Sequence, residues 1–330
     1  MKPKIFVARE VFDETLAFLQ QHADLTTNQA DQRFNAQELA ARMQGIDGVV
    51  LTTAERVDSE LLEACPSVKV FSNAAVGYNN IDVAACTAHR VMVTNTPGVL
   101  DESVADYAMG LVIATCRRMT EGEHYLRAGE WKGTFLKQLL GKDVHGATLG
   151  IFGFGRIGLA IARRARGFNM KILYHNRSRA PEANEREVGA TYVGKDDLLR
   201  QADIVLLIMP YNSTTHHFIA ERELGLMKSS AVLVNAARGG IVDDAALIRA
   251  LKSKQLWAAG LDVYENEPHF LPEFLALKNV VLSPHIASSS EPTRQAMAMT
   301  AARNCVAALR GETPPNLVNP EVVSRKLSTP

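Results

Sequence analysis

The sequence predicts an α/β protein made of two doubly wound parallel-sheet domains, on three observations. From residue 4 to 96, short β-branched runs alternate with amphipathic stretches, the pattern of parallel strands with covering helices. A second alternating series opens at "ATLGIFGFGRIG" (147–158) and closes at "VVLSPHIAS" (280–288). The 330 residues are about twice the usual single domain of roughly 150, enough for two full cores.

In chain order, "KIFVA", "ETLAFLQQHA", "AQELAARMQ", "DGVVLTT", "SELLEAC", "VKVFSNA", "DVAACTAHR" and "VMVTNT" supply the first set of strands and helices. "NTPGV" (95–99) puts Pro and Gly after a strand and reads as a loop and a hinge. A long helical region over 101–129 follows, interrupted near "RAGEWKG", before the second series begins. The last helix, "EPTRQAMAMTAARNCVAALRG", comes after that series is complete and is expected to pack back on the first domain. The expected division is therefore 1–99 with 289–330, and 100–288. "LVNPEVVSRKLSTP" at the end reads as a surface tail.

Composition excludes several classes of function. Thirty-six basic side chains balance thirty-six acidic ones, which leaves no net field to draw in nucleic acid or an anionic membrane. Any bound anion must be held locally. Cys65, Cys86, Cys116 and Cys305 are scattered without metal or disulfide spacing and read as reduced thiols of a cytoplasmic protein. "MKPKIFVARE" runs straight into a strand with no signal-peptide core, and "YAMGLVIATC" is far shorter than the roughly 20 residues of a membrane span.

In "LGIFGFGRIGLAIARRA" a β-run ends at Gly153 and a helix pattern starts near Arg156, so Gly153, Gly155 and Gly158 have GxGxxG spacing in a strand-turn-helix setting. The first glycine permits the tight turn, the second admits a pyrophosphate, and the third lets helix and strand pack closely. N–H groups of Gly155, Arg156, Ile157 and Gly158 at the helix start meet the negative charge. Eighteen residues past Gly158, where an acid would bond the adenosine ribose 2'-hydroxyl, stands Asn176, followed by Arg177, Ser178 and Arg179. A carboxylate there would repel a 2'-phosphate. Two guanidinium groups with a hydroxyl between them can grip one. NADP(H) is expected over NAD(H), although a merely solvated basic turn would accept either.

Three later stretches, "AVLVNAARGG", "AAGLDVYENEP" and "VVLSPHIAS", place polar groups at the carboxyl ends of predicted strands, the edge where open α/β sheets bind ligands. They carry Arg238, Glu267 and His285. Singly, each is as easily a structural ion pair, a loop carboxylate or an inert histidine. Together they supply a cation for a carboxylate, an acid/base that works near neutral pH, and a carboxylate to favour its imidazolium. His216, His217 and His269 read as surface residues, and no metal site is expected.

The motifs "VGYNNID", "NTPGVLDESVAD", "GIFGFGRIG", "NAARGGIVDDAAL", "GLDVYENEP" and "LSPHIA", in this order, resemble the D-isomer-specific 2-hydroxyacid dehydrogenase family. Within it, the likeness is to the glyoxylate/hydroxypyruvate reductase and 2-ketogluconate reductase branch. The resemblance covers nearly the whole chain. It implies a flavodoxin-like substrate domain and a Rossmann NAD(P) domain with the active site in the cleft between them. It makes Arg238, Glu267 and His285 a catalytic triad, and assigns the Val76 and Gly77 amides to the substrate carboxylate. Asp262 would orient the nicotinamide carboxamide, with Ala236, Ala237 and Ala287 lining that end, while Met209, Pro210 and Thr215 would lie near the adenosine and pyrophosphate. Much of the wider family has Asp where this chain has Asn176, a departure that fits NADP use. Trp131 falls in a helical arm that implies a homodimer. Two alternatives stay open: a nucleotide-sensing corepressor, which shares fold and triad, and an NAD-dependent D-lactate or phosphoglycerate dehydrogenase. The second predicts an acid at 176 and, for the longer phosphoglycerate enzymes, an appended regulatory domain.

Overall fold

The computed structural model describes residues 2–324. Its elements run β1 (Lys4–Val7), α1 (Asp13–His22), β2 (Asp24–Thr27), α2 (Ala36–Arg42), β3 (Gly48–Leu51), α3 (Ser59–Ala64), β4 (Val70–Asn73), α4 (Val83–Ala88) and β5 (Met92–Thr94). The second series runs α5 (Asp101–Cys116), α6 (Met119–Arg127), β6 (Thr148–Phe152), α7 (Arg156–Arg166), β7 (Lys171–His175), α8 (Glu182–Val188), β8 (Thr191–Tyr192), α9 (Lys195–Gln201), β9 (Ile204–Leu207), α10 (Glu221–Leu226), β10 (Val232–Asn235), α11 (Asp244–Lys252), β11 (Ala258–Leu261) and β12 (Val280–Leu282). Helices α12 (Glu291–Leu309) and α13 (Glu321–Ser324) close the described chain.

Two compact units result. One holds the chain up to Leu100 and from Ser290 onward, the other Asp101–Ser289. The first contains a parallel sheet in the order β2-β1-β3-β4-β5, the second a parallel sheet in the order β12-β11-β10-β9-β6-β7-β8. Strands β3, β4, β9, β10 and β11 are buried at every residue. Helices cover both faces of such sheets, so their strands read as apolar runs rather than alternating ones. Side-chain caps start several of the helices at their sequence-encoded ends: Asn35 with Glu38 forms a reciprocal box on α2, and Asp58, Asp82 and Asp243 cap α3, α4 and α11. The observed fold class is the one read from the sequence.

Three local expectations are corrected. The helix expected over 101–129 is two helices, because Arg118 between them takes the left-handed conformation (φ 52°). Its guanidinium binds both Glu121 oxygens and reaches Leu140 O, which repays that conformation. The Trp131 arm is irregular rather than helical. The expected surface tail is partly internal: Val318 N donates to Val93 O at 2.8 Å, and fully buried Asn319 bonds Val93 N, Val91 O and Thr87 Oγ1. Residues 325–330 of that stretch lie outside the described residues. Helix α12 packs on β3, β4 and α1, with Ser72 Oγ donating to Ala301 O at 2.6 Å.

Candidate active site

Strands β10, β11 and β12 are neighbours, and the loop after each carries one member of the expected triad. Buried Asn235 shapes the first loop: its Oδ1 accepts from Ala237 N (3.1 Å) and its Nδ2 donates to Arg238 O (3.1 Å). Arg238 Nη1 donates to Ala237 O at 2.7 Å. Gly239 then passes so close to the second loop that a Cβ would sit 1.6 Å from Tyr264 O, so only glycine fits there. In that second loop, Glu267 Oε1 accepts from Tyr264 N (2.8 Å), which aims Oε2 at His285 Nδ1, 2.7 Å away. Burial pulls the Arg238 guanidinium below its ordinary value and the Glu267 charge opposes it, which places both in one electrostatic neighbourhood. With Nδ1 committed to Glu267, Nε2 is the His285 nitrogen available to a substrate.

His285 is held in the left-handed region (φ 54°), with its own N–H on Asp262 O at 2.8 Å. Asp262 is completely buried. Its Oδ1 accepts from Ser283 Oγ (2.8 Å) and Ile286 N (2.9 Å), and its Oδ2 from Ala287 N (2.9 Å). The Tyr107 hydroxyl of α5 reaches Ser283 and Asp262 as well. What Asp262 does in this structure is pin the His285 loop, and the expected hold on a carboxamide finds it enclosed. Ala236, Ala237 and Ala287 are likewise buried beside these loops.

The glycine turn lies where the strand order reverses, between β6 and β9. Gly153 has φ 101°, and a Cβ on it would come 2.7 Å from the Ile208 and Met209 backbone. A Cβ on Gly158 would lie 2.3 Å from Gly153 O, whereas Gly155 faces open space. No acceptor among the described residues takes the N–H groups of Gly155, Arg156 or Ile157. An open, donor-lined helix start of this kind suits a dinucleotide pyrophosphate. The Arg156 side chain turns aside to Asp101, 3.1 Å away.

Asn176 proves to be a brace. Its Oδ1 accepts from Phe154 N (2.7 Å) and its Nδ2 donates to Phe154 O (3.2 Å), a pair that a carboxylate could not complete. The side chains of Arg177 and Ser178 are exposed and without a partner among the described residues. Arg179 departs from expectation, since both sides of its guanidinium are bound to Glu185. Thr215 also turns inward, its hydroxyl accepting from Asn212 N and donating to Pro210 O, so it stiffens the loop after Met209.

In the first unit, Asn73 Nδ2 donates to Gly77 O (2.8 Å) and Asn95 Nδ2 to Val76 O (2.9 Å). With both carbonyls held, the Val76 and Gly77 N–H groups find no acceptor among the described residues. Such a pair of free amides forms a small anion-binding concavity.

Residues 109–287 match the family model "D-isomer specific 2-hydroxyacid dehydrogenase, NAD binding domain". The chain belongs to the D-isomer-specific 2-hydroxyacid dehydrogenase family. The dehydrogenase is 46% identical over 327 residues to a glyoxylate reductase of Thermococcus kodakarensis, covering 98% of each chain. It is 44% identical over 327 residues to that of Pyrococcus furiosus, covering 98% of this chain and 97% of the relative. Among solved structures it is similar to the NADPH-dependent glyoxylate/hydroxypyruvate reductase of Sinorhizobium meliloti in complex with NADP and malonate (TM-score 0.87, 34% identity, 98% of both chains).

Sequence reasoning missed the supporting residues of the dehydrogenase: Asn73, Asn95, Tyr107, Asn235 and Ser283. Each is an ordinary polar residue near a strand end or on a helix, and nothing in its local pattern reveals the distant backbone group or carboxylate that it serves. His217, expected as a surface residue, is half-buried and bonds Glu265 at 2.6 Å. His216, His217 and Glu265 cluster closely, but the two imidazoles stack face to face (3.9 Å, 22°), so their in-plane lone pairs do not converge on one cation.

Asp244, buried beneath this loop, accepts from Glu265 N at 3.0 Å. Burial, reinforced by the Glu265 and Asp243 charges, pushes its carboxyl up to about 6 from an ordinary 3.8. Unfolded Asp244 ionises first as pH rises, so the native state loses stability from about 4 to about 6 and stays penalised above that. Asp244→Asn is expected to recover about 1 to 3 kcal/mol at pH 7 and nothing at pH 3.5, measured by urea unfolding. Equal effects at both pH values would show that the carboxylate bears no burial penalty.

Proposed function

We propose that this chain is an NADPH-preferring reductase of small 2-keto acids, with glyoxylate and hydroxypyruvate as first substrates and 2-ketogluconate as a further candidate, yielding D-2-hydroxy acids. The observation that carries the proposal is the Glu267–His285 pair at 2.7 Å, on the same sheet edge as Arg238 and the glycine turn. The relatives named glyoxylate reductase support the substrate class.

In this reading Arg238 and the Val76 and Gly77 amides bind the substrate carboxylate, and Arg238 polarises the keto oxygen. A bound reduced nicotinamide supplies the hydride. Protonated His285 gives the Nε2 proton to the oxygen as negative charge grows there, while Glu267 holds the ring through Nδ1. Oxidation in the reverse direction needs His285 neutral and is favoured at higher pH. NADPH preference is supported by the lack of an acid at 176 and by exposed Arg177 and Ser178. Asn176→Asp is expected to weaken NADPH binding about tenfold or more, because it sets a carboxylate near the phosphate and breaks the hydrogen bond to Phe154 O.

The reading also includes a homodimer in the cytoplasm. Met119, Leu126, Trp131, Phe135, Leu136 and Leu140 are exposed on α6 and the segment after it, a clustering in sequence that suits a partner subunit. Among the described residues, no helix is long and apolar enough to cross a membrane. A panel of glyoxylate, hydroxypyruvate and 2-ketogluconate with each reduced cofactor tests the whole reading. Turnover of none of them, with tight cofactor binding retained, would favour the corepressor-like alternative, and equal efficiency with NADH would remove the NADPH preference.

A further inference from the structure

The turn between β7 and α8 carries two arginines in different surroundings. Arg179 donates Nε to Glu185 Oε1 (2.9 Å) and Nη2 to Glu185 Oε2 (2.8 Å). Glu185 is only 6% exposed and also accepts the hydroxyl of fully buried Tyr174, which in turn accepts from Ala180 N at 2.9 Å. The far half of the turn is thereby tied to the core. The near half is tied through Asn176 to Phe154. Between the tethers, Arg177 and Ser178 project into solvent.

We propose that Glu185 sets how strongly the adenosine 2'-phosphate is recognised, by holding the charge of Arg179 against a carboxylate that is itself buried, so that the phosphate meets Arg177 and Ser178 alone. This rests on the NADPH reading above. A guanidinium that left Glu185 for a phosphate would strand a carboxylate in a place with little water, so the exchange brings no net gain. Among the described residues Arg177 has no such partner to abandon. The pair does not open by protonation near neutral pH either, because Arg179 first and Tyr174 second hold the Glu185 carboxyl down to about 2. Glu185 is thus a specificity-determining residue that touches no ligand itself.

The test is equilibrium binding, without turnover, of 2',5'-ADP, NADPH and NADH to the full chain and to R177A, R179A, E185Q and E185Q/R179A. R177A is expected to weaken both phosphate-bearing ligands about tenfold, and R179A to change them less than about twofold. E185Q, which frees Arg179 while its amide can still accept from Tyr174, is expected to tighten them about fivefold with NADH unchanged. E185Q/R179A should lose that gain. The proposal is overturned if R179A costs as much as R177A, or if folded E185Q binds 2',5'-ADP no tighter than wild type. Should E185Q not fold, R179A decides, since its side chain is two-thirds exposed. A wild-type protein that binds NADPH no tighter than NADH, with R177A neutral, overturns the cofactor reading and this inference with it.

Discussion

Replacing His285 with alanine is expected to lower reductive turnover of glyoxylate by about a hundredfold to ten-thousandfold, with cofactor affinity changed less than about twofold. The size follows from what the imidazole supplies in the proposed mechanism, a positioned proton for an oxygen gaining negative charge. The split follows from geometry: the backbone of the loop is held by Asp262 and Tyr264 rather than by the ring. Stopped-flow reduction across pH checks it. Whatever pH dependence the wild-type reductive rate owes to this group, the alanine variant should lack it. Wild-type turnover in the variant at any pH would mean that another group donates the proton.

Replacing Arg238 has the second large effect, and it should divide differently between binding and chemistry. Arg238→Ala is expected to raise KM and lower kcat together, with kcat/KM down about a thousandfold or more, because in the proposed mechanism one side chain binds the carboxylate and also meets the developing oxyanion. Arg238→Lys should recover only a minor part, since an ammonium keeps the charge but not the planar fork. Asn235 and Gly239 carry the loop whatever residue stands at 238, so a thermal unfolding midpoint near that of wild type is expected for the lysine variant. A rise in KM alone, with kcat intact, would confine Arg238 to substrate binding and remove it from the chemical step.

Much of the candidate site was legible because its chemistry sits in local patterns. Gly153, Gly155 and Gly158 have fixed spacing and need only their flanking strand and helix to be read. Arg238, Glu267 and His285 were placed by a rule about strand ends, which requires knowing that the strands are parallel but not which neighbours surround them. The adenosine turn was read only in part. A run of Asn, Arg, Ser and Arg announces positive charge, yet whether each cation faces a ligand depends on a carboxylate six residues further on and on the tyrosine beneath it. Asp262 illustrates the same limit, since "GLDVYENEP" does not disclose that its carboxylate is saturated by Ser283, Ile286 and Ala287 across the next strand.

The amino-acid order by itself determined the two βα series, the glycine turn, the lack of an acid at 176 and the three candidate side chains at the strand ends. These follow from periodicity, spacing and side-chain chemistry over short stretches. Only the tertiary structure decided that Asn176 braces Phe154, that Glu185 occupies Arg179, that Arg118 breaks a long helix, and that Asn319 is drawn inside beside β5. Each depends on a hydrogen-bond or ion-pair partner brought close by folding, and such partners compete for a group in ways that spacing along the chain does not encode.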